Sequence, residues 1–600
     1  MPRATLIEAS EIAKRCGVSA DVVLLGEGMI SEEGFYQSLA DFLGAPYYAG
    51  EPAIRPGTNP HAAIASGFAA LPPHQSNLRA AVAPNRNALR LLLQAHAAGR
   101  PLPRIAICSR QRLSALVRAR LGERIAREAA FDLRESDASL TAWSGLSAPQ
   151  IAAAFGAAVV VAGLSLVAPG LLHLALSIVL WLTFTGWICL RWAAVAAAGA
   201  SVPGEPLSDE ELPVYTIVAA LHRESAVAAK LIRALDAIDY PRGKLDIKLI
   251  VERRDAETLT AIAAHRLAAR YDIVVAPPGE PSTKPRALNI ALGAARGEYV
   301  VVFDAEDEPA PDQLRLAAAR FAEDTEVDCL QARLTVENPD DSWLSTLFAI
   351  EYAALFDLVN PGLAALNLPI ALGGTSNHFR TQTLRRVGGW DAWNVAEDAD
   401  LGIRLARFGA RVGTLDSDTW EEAPNDLTNW FRQRVRWQKG WMQTLIVHSR
   451  RPIRLFRELG AARALSASLL IGGTVLGGLF GAPLLLDAIA RGVSGGLTPA
   501  NPLTLAGDVL IYILALSGLQ AIAIPAYVAM RRRGMTGALR ALAWTPAYYA
   551  LVCAATWVGL YELAVRPFYW GKTEHGRMRR TRTRGPAAPR RPAPAPTYAR

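Results

Sequence analysis

Five long uncharged apolar runs constrain this 600-residue chain more than any other feature: Ile151 to Val167, Leu171 to Leu190, Leu465 to Leu486, Val509 to Met530, and Ala541 to Tyr561. A helix of ~20 residues crosses ~30 Å of hydrocarbon, and helices of soluble domains seldom stay uncharged for that length. The first two runs are separated only by Ala168-Pro169-Gly170 and read as a transmembrane hairpin. The chain is also too long for one hydrophobic core. Its apolar fraction is 51% while charged residues still make up 20%, so the apolar excess is concentrated in these runs and a polar stretch lies between them.

Met1 to Gly17 carries Arg3, Glu8, Glu11, Lys14 and Arg15 where the apolar core of a leader would lie, so the chain is expected to start in the cytosol. The hairpin then returns it there, placing Arg191 to Arg463 on the cytosolic side of a bacterial-type inner membrane. Arg531-Arg532-Arg533 reads as cytosolic too. So do Arg577, Arg579, Arg580, Arg582 and Arg584, although a single run separates the two clusters. Either Ala541 to Phe568 is a re-entrant pair broken near Pro546, or the charge rule fails for the tail. The Pro/Ala/Arg-rich end after Gly585 is expected to be disordered. The charge of +8 suits nucleic acid, an anionic membrane face or an acidic small substrate, and does not choose among them. Cys16, Cys108, Cys189, Cys329 and Cys553 form no CxxC pair, which argues against a disulfide framework or a zinc site.

The stretch between the runs alternates strand and helix patterns. Tyr215 to Leu221, Ile247 to Val251, Ile273 to Ala276 and Tyr299 to Phe303 read as strands. Ser225 to Leu235, Ala256 to Arg270 and Lys284 to Ala295 read as helices. This is an α/β pattern, in which ligands sit beyond the carboxyl ends of the strands. Asp304-Ala305-Glu306-Asp307 follows such a strand, and two carboxylates one residue apart can grip a hard divalent cation. Taken alone, an acidic turn is equally a solvated loop or a helix cap.

Further along stand Glu397-Asp398 and then Gln433-Arg434-Val435-Arg436-Trp437. In this order the residues resemble the motifs of processive family 2 glycosyltransferases of the cellulose, chitin and hyaluronan synthase type, over roughly Pro213 to Lys572. Arg566 to Gly576 also looks like the end of bacterial members. The resemblance implies an α/β, GT-A-like nucleotide-sugar transferase domain inserted between transmembrane helices. It implies inverting transfer from a UDP-sugar to a growing, β-linked exopolysaccharide, with Mg²⁺ or Mn²⁺ as cofactor and no nucleic-acid partner. A non-processive transfer to a lipid carrier, or a non-catalytic membrane regulator, are the alternatives.

Carried over residue by residue, the resemblance makes Asp398 the base that takes the acceptor proton, with Glu397 raising its proton affinity. Asp304 and Glu306 would hold the metal and the donor phosphates, and Lys284 and Arg436 would neutralise the diphosphate. Gln433 and Trp437 would meet the acceptor, Trp437 through its aromatic face. The Trp430 to Lys439 stretch also looks like a helix at a membrane interface. Gly373 to Arg380 sits where relatives place a loop near the sugars. The first acid departs from the pattern: Val251-Glu252-Arg253-Arg254-Asp255 stands where an Asp-Asp pair is usual, leaving Glu252 to meet the nucleotide base.

Ahead of the hairpin, Ser10 to Tyr48 reads as two short helices, the second starting at Ser31 with Phe35, Leu39, Phe42 and Leu43 on one face. Leu89 to Ala98 and Gln111 to Leu121 read as helices around a short strand, Ile105 to Cys108. This small, mainly helical unit looks like the N-terminal domain of type II secretion ATPases. A docking or packing role is expected for it, with cyclic di-GMP or a protein as the partner. The expected layout is thus 1–145 for this unit, 151–195 for the hairpin, 205–445 for the transferase domain, 446–464 for an interfacial helix, 465–570 for the C-terminal membrane region and 577–600 for a basic tail.

Overall fold

The computed structural model describes residues 1–50, 53–72, 77–199, 204–493 and 502–571. The expected basic tail at 577–600 lies outside them. In the first part, helices Arg3–Cys16, Ala20–Gly26, Glu32–Leu43, Pro60–Ser66 and Arg86–Ala97 surround three short strands, β1 (Phe68–Ala70), β2 (Ala80–Val82) and β3 (Ile105–Ile107). β2 pairs antiparallel with β1 and parallel with β3. Ser31 caps Glu32–Leu43 by accepting from the Gly34 N–H, as its position before two glutamates predicts. Phe42 departs from the expected apolar face: it is exposed and lies against His96, because Tyr36, Leu39, Ala40 and Leu43 already fill the side facing the strands.

The helix expected at Gln111 to Leu121 runs on to span Arg110–Ser136, bent at Leu121. Its second half leaves the first part and buries Ile125 and Ala129 in the core of the next one. That core belongs to an eight-stranded sheet built from β4 (Tyr215–Leu221), β5 (Leu245–Glu252), β6 (Tyr271–Ala276), β7 (Tyr299–Phe303), β8 (Glu308–Pro309), β9 (Val327–Val336), β10 (Asn377–Arg380) and β11 (Arg411–Glu421). The order is β6-β5-β4-β7-β10-β9-β11-β8.

The first four strands of that order are parallel, and the central pair β4 and β7 is buried on both faces, which is why these two read as continuous apolar runs. One face packs on Ala228–Asp236 and Gln313–Glu323, the other on Lys284–Ala294, Glu397–Arg407 and the end of Arg110–Ser136. The sheet is mixed rather than parallel throughout, because β10 enters antiparallel between β7 and β9. The helix expected at Ala256 to Arg270 stops at Ala263. Its terminal Arg270 instead donates to the Gly26 carbonyl at 2.7 Å and pairs with Asp236 at 2.5 Å, which holds the preceding residues against the first part.

Among the described residues, six helices are long and apolar enough to cross a membrane: Ala148–Val167, Pro169–Ala197, Trp343–Ala365, Ala461–Leu486, Tyr512–Arg532 and Gly537–Val565. Trp343–Ala365 was not among the expected runs. Most of its apolar stretch is buried between the sheet and the other long helices, and Glu351 and Asp357 interrupt its apolar pattern. Pro546 does not break a re-entrant pair. It stands in the first turn of a single α-helix, Thr545–Val565, where a proline lacks no needed hydrogen bond. The Trp430 to Lys439 stretch lies in Leu427–Ser449, which buries Trp430, Arg434 and Lys439 against Thr545–Val565 and the sheet domain. Pro452–Leu459, within the expected interfacial segment, buries Leu455 and Leu459 and exposes Ile453 and Phe456.

Candidate active site

The carboxyl ends of β4, β5 and β7 open into a polar cavity of about 180 Å³. Glu252, Lys284, Asp304, Glu306, Asp398, Gln433, Arg436 and Trp437 all line it, although they come from five separate stretches of chain. Lys284 begins the helix Lys284–Ala294, and Asp398 stands in the first turn of Glu397–Arg407. Gln433, Arg436 and Trp437 share one side of Leu427–Ser449 at i, i+3 and i+4 spacing.

Lys284 is the hub. Its Nζ pairs with Asp304 and donates to the Gly374 carbonyl at 2.7 Å. A Cβ on Gly374 would stand 3.3 Å from Asp398 Oδ2 and 3.8 Å from Lys284 Nζ, so this backbone forms the wall beside both groups. Burial alone would lower the lysine, but Asp304, Glu397 and Asp398 outweigh it and hold the ammonium above the usual lysine range. Burial pushes Glu397 up to about 7, with Asp398 adding to the rise and Lys284 and Arg436 opposing it. Asp398 is raised by burial as well, against the Ala399 N–H, Lys284 and Arg436. The acid pair therefore takes up a proton far above the usual carboxylate range. We expect the acid limb of kcat/KM for transfer to lie above the usual carboxylate range, because burial raises both acids of the pair and protonation of Asp398 removes the base. A pH–rate profile whose acid limb begins only near 4.5 would refute this assignment.

The turn after β7 has a lock that its sequence did not reveal. Asp307 accepts from the Asp304 N–H at 2.7 Å and from the Thr375 hydroxyl. Burial, then Asp304, Glu306 and Glu421, hold its carboxyl well above the usual range. Asp307 Oδ1 has no hydrogen-bond partner, and neither have Gln433 Oε1 and Arg436 Nε. Buried polar atoms left this way mark a place for a ligand or an ion. Among the described residues, no three carboxylate, imidazole or thiolate groups converge as a ready cation site. The donor chemistry nevertheless fits a hard cation. Among the described residues that line the cavity, eight are carboxylates (Glu224, Glu252, Asp304, Glu306, Glu397, Asp398, Glu421 and Glu422) and two, Lys284 and Arg436, are permanent cations, so the lining favours added positive charge when a diphosphate enters.

Three expected contacts are arranged differently. Glu252 lines the cavity, but its Oε1 accepts from Arg286 at 3.0 Å, which draws it back from the opening. Asp255 is committed to capping Ala256–Ala263 and accepts from the Thr258 N–H, while Arg253 and Arg254 point to solvent. Trp437 lines the cavity while stacking on Tyr352 with ring centres 6.4 Å apart and with Arg434 at 4.7 Å from its ring. Of Gly373 to Arg380, Gly374 and Thr375 line the polar cavity. Asn377–Arg380 is β10, with His378 buried against Tyr215 and held far below its usual range by that burial.

Trp570, after the last long helix, places its ring 4.6 Å from the Arg436 guanidinium and closes one side of the cavity. Asp398, Gly374 and Trp437 also border a second, larger space of about 620 Å³ between the long apolar helices. Leu180, Phe184, Leu470, Leu514 and Ile522 are among its predominantly apolar walls, and Arg434 and Glu351 also line it.

Residues 212–440 match a family model described as "Glycosyltransferase like family 2". The probable glycosyltransferase YdaM of Bacillus subtilis is 25% identical over 236 residues, which are 38% of this chain and 56% of that protein. The beta-monoglucosyldiacylglycerol synthases of Trichormus variabilis and of Synechocystis are each 29% identical, over 39% and 38% of this chain and 50% and 48% of those proteins. This chain thus spans about half the length of the relatives it matches. A mannosyltransferase from Pyrobaculum calidifontis, solved with GDP-Man and Mn²⁺, is 20% identical with a TM-score of 0.41, over 65% of this chain and 99% of that one. Residues 212–440, which carry all eight cavity residues singled out above, form a family 2 glycosyltransferase domain.

Proposed function

We propose that the chain is a membrane-bound, inverting hexosyltransferase with a GT-A-like frame, which moves a sugar from a nucleoside-diphosphate donor onto a hydroxyl held at Asp398. The observation that carries this reading is the convergence of one raised acid pair, one lysine and one arginine on a single polar cavity. Asp398 takes the proton of the acceptor hydroxyl as that oxygen forms its bond to the anomeric carbon. The bond from that carbon to the diphosphate breaks, and Lys284 and Arg436 stabilise the charge gathering on the leaving group. Asp304 and Glu306 would hold Mg²⁺ or Mn²⁺, which when bound supplies the remaining neutralisation.

The resemblance points to a polysaccharide acceptor, but the larger cavity favours a lipid. A sugar polymer needs hydrogen-bonding walls, whereas this space is predominantly apolar, runs between the long helices and is bordered by Asp398. Its volume of about 620 Å³ falls within the ~300–1,000 Å³ of small-molecule sites. The relatives named for diacylglycerol glucosylation agree with this choice. An inner-membrane, multi-pass placement, with the catalytic domain cytosolic, follows from the same reading.

The test is UDP release from a panel of UDP-sugars by the full chain in detergent with Mg²⁺ or Mn²⁺, offered either diacylglycerol or oligosaccharide, with product size measured. Gly518 lines the apolar cavity, and a Cβ there meets nothing within 4 Å, so Gly518→Phe fills the space without disturbing its helix. We expect this variant to lose transfer to lipid by about tenfold while keeping donor hydrolysis to water. A long polymer product with no lipid transfer would instead restore the polysaccharide reading.

A further inference from the structure

Residues 387–396, which lead into Glu397 and Asp398, contain only turns and irregular backbone, so contacts from elsewhere set their path. Those contacts come from two sides. From one, Gln443 and Thr444 of Leu427–Ser449 bond to Val395 and Asn394. From the other come residues far earlier in the chain. Asp391 is 1% exposed and accepts from the Thr141 hydroxyl at 2.8 Å and the Ala142 N–H at 2.6 Å. Trp393 donates through its ring nitrogen to the Ala130 carbonyl at 2.9 Å and packs on Phe131 and Trp143.

The Thr141 segment is itself pinned. Residues 137–147 join helix Arg110–Ser136 to the first long apolar helix, Ala148–Val167. Arg450, just beyond the helix that carries Arg436, donates to the carbonyls of Ser139 and Thr141 at 3.0 and 2.7 Å. Arg454 reaches Asp137 at 2.5 Å. One short linker therefore touches the acid-bearing segment and the end of the arginine-bearing helix, and its two ends continue into the N-terminal part and an apolar helix.

We propose that Asp391 is a positioning residue through which this linker sets the placement of Glu397 and Asp398, so that the first part of the chain belongs to the transfer machinery. The acid pair sits six and seven residues beyond Asp391 with no regular structure in between until the helix begins. Its reach toward a reacting hydroxyl therefore depends on that anchor. A misplacement of ~1 Å at a reacting group can cost ~10²-fold in rate. Any movement of the N-terminal part relative to the apolar helix passes through the residues that hold Asp391.

The test uses the full chain in detergent and the variants Thr141→Val, Asp391→Asn and their double. In hydrogen–deuterium exchange, peptides covering residues 391–400 are expected to exchange faster in each variant, with no further gain in the double and no change in β4, β5 or β7. Unchanged exchange at 391–400, or a uniform rise throughout the domain, overturns the proposal. A kinetic arm rests on the transferase reading above. Sites are counted by UDP binding, and turnover per site is expected to drop by about tenfold with the donor KM nearly unmoved. Fewer UDP sites with unchanged turnover per site would show a merely structural role and also overturn it. The native chain's own turnover tests the transferase reading separately, and the exchange arm needs no turnover.

Discussion

Asp398→Asn is expected to lower sugar transfer by about 10³-fold while leaving UDP affinity within about twofold of native. The asymmetry follows from where the carboxylate stands. Asp398 lines both the polar cavity and the apolar one, so it can reach a hydroxyl entering from the second while the donor occupies the first. Asparagine keeps the size and can still accept from the Ala399 N–H, which Asp398 does at 2.8 Å, but it cannot take a proton. Measuring UDP binding and turnover on the same preparation separates the two effects. A variant that retains transfer would move the base to Glu397, and Glu397→Gln would then show the loss.

Lys284→Met is expected to cost about 10²-fold in turnover and also to raise the donor KM, because the ammonium serves the leaving diphosphate both before and during bond breaking. It should leave a second signature in the pH profile. Lys284 lowers both Glu397 and Asp398 by its charge. Removing that charge raises the proton affinity of the pair, so the acid limb of kcat/KM should move to higher pH, by about one unit. A variant with weakened activity but an unmoved limb would place Lys284 away from the acids in the working enzyme. Arg436→Met should share the KM effect, and its limb should move in the same direction, because Arg436 also opposes protonation of both acids.

Several parts of this architecture were legible in local sequence. The apolar runs Ile151 to Val167 and Leu171 to Leu190 correspond to long helices because length and lack of charge are properties of a single segment. Tyr215 to Leu221 and Tyr299 to Phe303 are strands with the expected bounds, since burial on both faces demands an unbroken apolar run. The order of acids, lysine and QxxRW along the chain named the eight residues that share one cavity.

What escaped the sequence lies in contacts between distant residues, which leave no periodicity to read. Thr141 and Asp391 are 250 positions apart, and a threonine before an alanine carries no sign that it will hold an aspartate. Trp570 over Arg436, Asp307 locked to Thr375 and the arginine that takes Glu252 are of the same kind. Trp343–Ala365 was hidden for a related reason: Glu351 pairs with Arg434 at 2.5 Å and Asp357 with Arg533 at 2.6 Å, so charges that interrupt the apolar pattern are neutralised only in the folded chain. The sequence by itself determined which segments are apolar enough to leave water and which acids and bases could serve one reaction. Only the tertiary structure decided that helix Arg110–Ser136 enters the sheet domain's core and that an apolar cavity meets the polar one at Asp398, because both depend on packing between segments far apart in the chain.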